Sequence, residues 1–548
     1  MHWFKSLVVL PMLAWVTLLS MGARAESNIG IGKSDITGPA AEVLMMGFSD
    51  LKESTAGILN RLYARAYFIE DPVTSSRVMF VHCNLHSVMQ LVHQEVLAQL
   101  ATKYNGVYTE QNVVLHATHT HAGPGGTAGY FLYDVSILGY ISENFDKIVG
   151  GILDAIDQAH NSVASGTIRN TTIESAEIIG RREYDALSAL INSTSELIQG
   201  SAVAKLSYVD MSNVTLDGVQ ATDEDPYADR TCPGIVGQNF AAGTEDGRGL
   251  GWFSEGDLKT NQFFKALGAA LSTKTPQWVQ DCQNSVKPVP WTPNILPVQI
   301  VKISQFAIAV TSFEVTTMAG RRIRSTVNGA LADAGVTEVE LATISNAYVQ
   351  YMTTKEEYLV QDYEGASTLF GRNQLAAVQQ ELSRVAASIV DTSIELDVGP
   401  TPLKIDRDSL VTFQTGVVVD TAPSGGFSAV RTQPESSYAI GDMASCVFAG
   451  AHPKNALTLV TSFCDVEQLE SDGSSYRTVM TDAHWDVRYH WERYGVAGSK
   501  NTCEWNIRAG GQTSVAGTYR FVHRGYAKSL TGTLTVYEST SGTFTVTA

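Results

Sequence analysis

At 548 residues the chain is too long for one ordinary hydrophobic core and long enough to bury a large one, so two domains are expected. A hydrophobic fraction of 44% with 17% charged residues excludes a largely disordered chain. A formal net charge of -18 without a basic cluster excludes nucleic acid as a partner, because phosphates would be repelled, and excludes electrostatic docking on anionic lipid.

Lys5, the apolar run from Ser6 to Ser20 and Ala23-Arg24-Ala25 have the basic, hydrophobic and small-residue layout of a cleaved signal peptide, so residues 1–25 are expected to be removed on export. The run is short for an uncleaved anchor, and no later stretch is long enough to span a membrane. In an exported chain the six cysteines, Cys83, Cys232, Cys282, Cys446, Cys464 and Cys503, are free to form disulfides. Sequons at Asn170, Asn192 and Asn213 suit a glycosylated surface if the source is eukaryotic.

Beyond the leader, Asn28 to Ile36, Leu62 to Ile69 and Arg77 to Val81 read as strands rich in aromatic and β-branched residues. Residues 86–103 place Val88, Val92, Val96 and Leu100 on one helical face. The apolar run Val113-Val114-Leu115 then ends in His116-Ala117-Thr118-His119-Thr120-His121-Ala122-Gly123-Pro124-Gly125-Gly126, completing a β-α-β unit. On a strand His119 and His121 would point to the same face, at the sheet edge where such folds bind ligands. Neutral imidazoles favour zinc, whose catalytic sites use about three protein ligands and an open position. An isolated HxH equally suits histidines hydrogen-bonded in a wet loop, so the rest of the chain must decide.

Phe145 to His160 reads as a helix with Ile148, Ile152 and Ile156 on one face, and residues 182–199 form a second amphipathic segment. Residues 210–260 are rich in Gly, Asp, Asn and Pro and read as a long surface loop, much of which Cys232 and Cys282 bracket and are expected to staple. Strands return at Val298 to Ile303, Phe306 to Val310 and Glu338 to Ile344, with Glu314 just past one and the cluster Asn346-Ala347-Tyr348-Val349-Gln350-Tyr351 just past another. Three strand ends therefore carry His, Glu and Tyr, and one parallel sheet would bring them to one edge. A helix from about Leu375 to Val390 precedes short strands that reach the C-terminus and read as a separate β-sandwich.

Three motifs in this order, Ala117-Thr118-His119-Thr120-His121-Ala122-Gly123-Pro124-Gly125-Gly126, Glu314-Val315-Thr316-Thr317-Met318-Ala319-Gly320-Arg321-Arg322 and Tyr351-Met352-Thr353-Thr354-Lys355-Glu356-Glu357-Tyr358, resemble the neutral ceramidases, as does Tyr363-Glu364-Gly365-Ala366-Ser367-Thr368-Leu369-Phe370-Gly371. The resemblance implies a mixed α/β catalytic domain over 26–390 and an immunoglobulin-like β-sandwich domain over 391–548. It implies hydrolysis of the N-acylsphingosine amide of ceramide to sphingosine and fatty acid, by an extracellular enzyme meeting its lipid at a membrane surface or in micelles. By resemblance His119, Glu314 and Tyr351 are zinc ligands, His121 assists the chemistry and Tyr363 stabilises the oxyanion. Without the flanking motifs, Tyr351 and Tyr363 read first as ordinary packed tyrosines with paired hydroxyls, and the motifs reverse that.

The likeness breaks near Ile179-Gly180 and resumes within Arg181 to Gly200, as though an internal block had been removed. The family's second histidine ligand and its catalytic serine loop belong to that block, which implies a weakened zinc site and an activity that is poor or absent. The alternative is an inactive ceramidase-like binding or regulatory protein, or a shortened product. Asp482-Ala483-His484-Trp485-Asp486-Val487 resembles a structural Ca2+ or Mg2+ loop, with His484 and Val487 where oxygen donors are expected. An unrelated metallohydrolase would need its own ligand set, and no HExxH is present.

Overall fold

The computed structural model describes residues 27–48, 52–170, 196–198, 200–244, 247–249, 254–256, 292–457, 461–510 and 515–547. The expected leader, most of the segment 182–199, Asn192 and Cys282 lie outside them. No helix among the described residues is long and apolar enough to cross a membrane.

The first sheet is built from β1 (Ser27–Asp35), β2 (Tyr63–Glu70) and β3 (Arg77–Cys83). Helix α1 (Gln90–Lys103) then leads to β4 (Val113–Ala117), and α2 (Ser142–Asn161) leads to β5 (Ala164–Gly166). The order is β4-β3-β2-β1-β5, with β3 and β4 parallel as a β-α-β crossover requires. Val88, Val92, Val96 and Leu100 are fully buried, each worth about 1.5–3 kcal/mol of hydrophobic stabilisation. The helix is shorter than its apolar spacing suggests. It begins at Gln90, which leaves Asn84 to Met89 as a turn at the carboxyl end of β3.

A second sheet holds β6 (Ala202–Asp210), β7 (Ile295–Ile303), β8 (Phe306–Val310) and β9 (Glu338–Ala342) in that order. Helix α3 (Thr317–Ala330) joins β8 to its parallel neighbour β9, and α4 (Gln374–Val390) packs against α3 and β7. The expectation of one parallel sheet is therefore corrected: two mixed sheets each contribute one parallel pair. Asn346 joins them, its N–H donating to the Leu115 carbonyl at 3.0 Å and its side-chain oxygen accepting from the Leu115 N–H at 2.8 Å. One core cluster runs through both sheets and their helices.

The C-terminal unit also has two sheets. Val430–Thr432, Met443–Gly450, Gly498–Asn506 and Val487–Tyr494 form one, and Ser54–Ile58 and Ala41–Leu44 extend it from the other end of the chain. Gly517–Lys528 and Cys464–Leu469 centre the second. Phe448, Tyr489 and Trp505 from the first sheet share a core with Tyr519, Phe521 and Phe544 from the second. A Cys464–Cys503 disulfide, with Cα atoms 5.6 Å apart, ties the sheets together. Cys83 and Cys446 are free and buried, and burial pushes both thiols up to about 12. Cys232 is disulfide-bonded.

The residues at the expected divalent-cation loop do not suit a metal. Arg61 puts Nε 2.6 Å from one oxygen of Asp482 and Nη2 3.1 Å from the other, while its Nη1 reaches Asp35 at 2.5 Å. The Phe463 N–H donates to Asp482 at 2.7 Å, and the Val487 side chain is buried without a donor. The Arg61 guanidinium pairs with both carboxylates and links the C-terminal unit to the first sheet.

Candidate active site

The histidine run leaves β4 at Ala117, and His119 adopts a left-handed backbone with φ of 65°. His119 and His121 meet because of that turn and not through strand alternation. Such strain in a non-glycine residue costs about 1–3 kcal/mol and is held only where surrounding contacts fix it. Here the fixing contact is the His119 Nδ1–H, which donates to the His86 carbonyl oxygen at 2.9 Å. Gly47 closes the opposite side, with φ of 105°, and a Cβ there would sit 2.6 Å from the His121 ring. Exposed Phe48 lies edge-on to His121, with ring centroids 5.4 Å apart.

Glu314 and Tyr351 are brought in by a short parallel pairing, Glu314 opposite Tyr351 and Val315 opposite Met352. The base under them is stiff. Thr316 caps α3 and also donates to Glu357 at 2.7 Å, and the same carboxylate completes the capping box at Thr354. One carboxylate thus couples the start of the Glu314 helix to the start of the segment after Tyr351.

Glu314 Oε2 stands 3.1 Å from His119 Nε2, and the Tyr348 hydroxyl donates to Oε1. Tyr351 also hydrogen-bonds to Glu314 and lies edge-on to Tyr363 at 5.8 Å, while Tyr363 stacks on Phe240 at 5.5 Å. His121 Nε2 is 3.4 Å from His119 Nε2. All five residues singled out in the sequence therefore meet in one place. Phe240 comes from the stretch read as surface loop, yet Cys232, Ile235 and Val236 there are buried, because that segment folds back onto Phe370 and the Tyr363 helix.

Burial would raise the Glu314 pKa, but the adjacent His119 outweighs it and holds the carboxyl down at about 2. Burial disfavours charge on His119, yet the Glu314 carboxylate raises its pKa. His121 is lowered by burial and then by His119. Burial and the Glu314 charge keep the Tyr348, Tyr351 and Tyr363 hydroxyls protonated.

Zinc suits this donor set. With Nδ1–H committed to a carbonyl, neutral His119 aims a lone pair from Nε2 at a carboxylate, and two acceptors at 3.1 Å need a cation or a proton between them. Donors around a tetrahedral zinc with bonds of about 2.0–2.1 Å stand about 3.3 Å apart, the spacing seen from His119 to Glu314 and to His121.

Two residues at the centre were not assigned from sequence. Tyr348 lay within the noted aromatic cluster but had no role. His86 falls within the stretch whose spacing reads as a helical face, although its place just after a strand parallel to β4 is an available signal. Its ring lies 4.5 Å from that of His119 and 5.1 Å from that of His121, and burial followed by the His119 charge lowers its pKa to about 3.

Comparison with known proteins agrees along nearly the whole chain. The family model described as neutral/alkaline non-lysosomal ceramidase, N-terminal, matches residues 28–174 and 163–380, and its C-terminal counterpart matches 382–546. The neutral ceramidase of Pseudomonas aeruginosa is 32% identical over 642 aligned residues, covering 93% of this chain and 94% of that protein. Neutral ceramidase B of Dictyostelium discoideum is 29% identical, covering 95% and 94%. The crystal structure of neutral ceramidase from Pseudomonas aeruginosa superposes with a TM-score of 0.81 at 29% identity, covering 96% of this chain and 99% of that one. A solved structure of ceramidase complexed with C2 gives 0.84 at 30% identity, covering 95% and 99%. The 642 aligned positions outnumber the 548 residues here by 94, so at least that many have no counterpart in this chain. On the extent of these matches, the chain belongs to the neutral/alkaline non-lysosomal ceramidase family.

Proposed function

We propose that this chain carries the zinc-dependent site for hydrolysing the N-acylsphingosine amide of ceramide to sphingosine and fatty acid, in sphingolipid catabolism, and that loss of an internal block holds its rate far below that of complete relatives. The observation that carries this reading is the meeting of His119, Glu314 and Tyr351 around one carboxylate. These three residues would hold the zinc. Bound there, zinc supplies Lewis acidity to the amide carbonyl and a lowered pKa to water. Glu314 stays ionised across the working pH range and balances the metal's charge. His121, kept neutral, accepts a proton from the attacking oxygen and returns it to the departing sphingosine amine. Tyr363, kept protonated, donates to the oxyanion, a contact worth about 3–4 kcal/mol when well placed.

The missing block removes a serine that resemblance assigns to the chemistry, and loss of such a group commonly lowers kcat by several powers of ten. The number of unmatched alignment positions supports this. It equally supports a second reading, in which the chain binds ceramide without turning it over. The N-terminal sequence supports export, so the substrate is met at a membrane surface or in micelles. The C-terminal unit we read as an immunoglobulin-like sandwich, on the strength of its two sheets sharing one core.

The test is fatty-acid release from ceramide by the purified chain, beside a version with the block restored. Turnover in the restored protein at least about a thousandfold above the native chain is expected. Equal rates would refute the curtailed activity, and no turnover in the restored protein would refute the hydrolase. Ceramide binding without release is the signature of the second reading.

A further inference from the structure

We propose that His86 is a zinc ligand, supplying a second neutral nitrogen beside His119. The inference rests on the zinc reading above and deepens it. His119, Glu314 and Tyr351 alone offer one nitrogen, one carboxylate and one phenol, and a phenol with an ordinary pKa near 10 is a poor ligand at neutral pH. A second imidazole corrects that deficit.

His86 lies in the turn between β3 and α1, at the same sheet edge as His119, and its side chain is only 8% exposed. One ring nitrogen from each of His86, His119 and His121 lies within 4.8 Å of the others. Donors sharing a tetrahedral zinc stand about 3.3 Å apart, so a shift of about 1.5 Å at most brings that His86 nitrogen to ligand spacing. Its protonation is arranged for the task. The Ser87 hydroxyl stands 3.0 Å from His86 Nδ1 and also reaches the Met89 sulfur, and the neutral tautomer that donates Nδ1–H to Ser87 leaves Nε2 with the lone pair. Outer hydrogen bonds of this kind fix the tautomer of metal-binding histidines. The His86 carbonyl does the same for His119. One residue thus orients one ligand and provides another. The Tyr348 ring stands edge-on to His86 at 5.1 Å and fixes its remaining face. The competing nitrogen is His121, closer to His119 but lying against exposed Phe48 at the mouth of the site, where a proton carrier is needed.

The test is zinc content and affinity after dialysis, with X-ray absorption to count imidazoles, on the full chain and on the His86→Ala, Ser87→Ala and His121→Ala variants. The native chain is expected to keep one zinc with two imidazoles. His86→Ala should show one imidazole and an affinity lower by about tenfold or more, and Ser87→Ala, which leaves the ligand in place, should keep two imidazoles with a smaller loss. If His86→Ala keeps two imidazoles at native affinity while His121→Ala loses one, the assignment of His86 is overturned and zinc dependence stands. If the native chain retains no zinc, both fail. If His86→Ala does not fold, a Ser87→Ala affinity equal to native overturns the proposal.

Discussion

Replacing Arg61 by Met removes the cation that joins Asp482 to Asp35. Asp482 is fully enclosed and the Arg61 side chain is 5% exposed, so water cannot reach in to solvate the carboxylate left behind. Removing one partner of such a buried pair costs about 3–5 kcal/mol, most of it the unpaired charge. Asp35, with a side chain 25% exposed, adds less because solvent screens it. Removing Asp482 in turn, as Asp482→Leu, should cost a similar amount by stranding the guanidinium. The double variant should cost far less than the sum of the two, because apolar replacements of both partners leave no buried charge. Denaturant unfolding of all four proteins, followed by tryptophan emission from Trp491 and Trp505 in the C-terminal core, measures the cycle. A loss below about 1 kcal/mol in Arg61→Met, or simple additivity in the double variant, would refute the reasoning. Calcium or a chelator should leave this element unchanged, since Arg61 and the Phe463 N–H already engage both oxygens of Asp482. The pH dependence has a definite sign. Burial opposes ionisation of Asp35, but Arg61 outweighs it and lowers its pKa. Its share of stability is therefore present above the unfolded value of about 4 and is lost as the pH falls through the lower folded value.

Glu314→Gln should weaken zinc binding more than about a hundredfold, since it removes a ligand of the proposed zinc site, and unchanged zinc content after dialysis would place the metal elsewhere. Non-reducing peptide mapping should recover Cys464 joined to Cys503 and Cys232 joined to Cys282; a free Cys232 thiol would contradict the second pairing. Cys83 and Cys446 should resist alkylation until the chain unfolds, because burial pushes both thiols up to about 12. Mass spectrometry of exported protein should begin at Glu26, and a mature chain starting at Met1 would overturn the export argument.

The local elements were legible because each depends on neighbours in sequence. The four-residue spacing from Val88 to Leu100 and the apolar runs at β4 and β8 predict the helix and strands that form, and the motif order identified the family and the five residues that now meet. Sequence periodicity does not encode where an apolar stripe stops being a helix, so His86 was hidden in a pattern that in fact begins at Gln90. It also does not say which strands share a sheet. His119 and Glu314 converge because two sheets are joined through Asn346, a contact spanning about 230 residues whose energy exists only after both sheets form. The Arg61 link to Asp482 is of the same kind, spanning 421 residues. Charge pairing across such distances depends on burial, and burial is a property of the assembled fold.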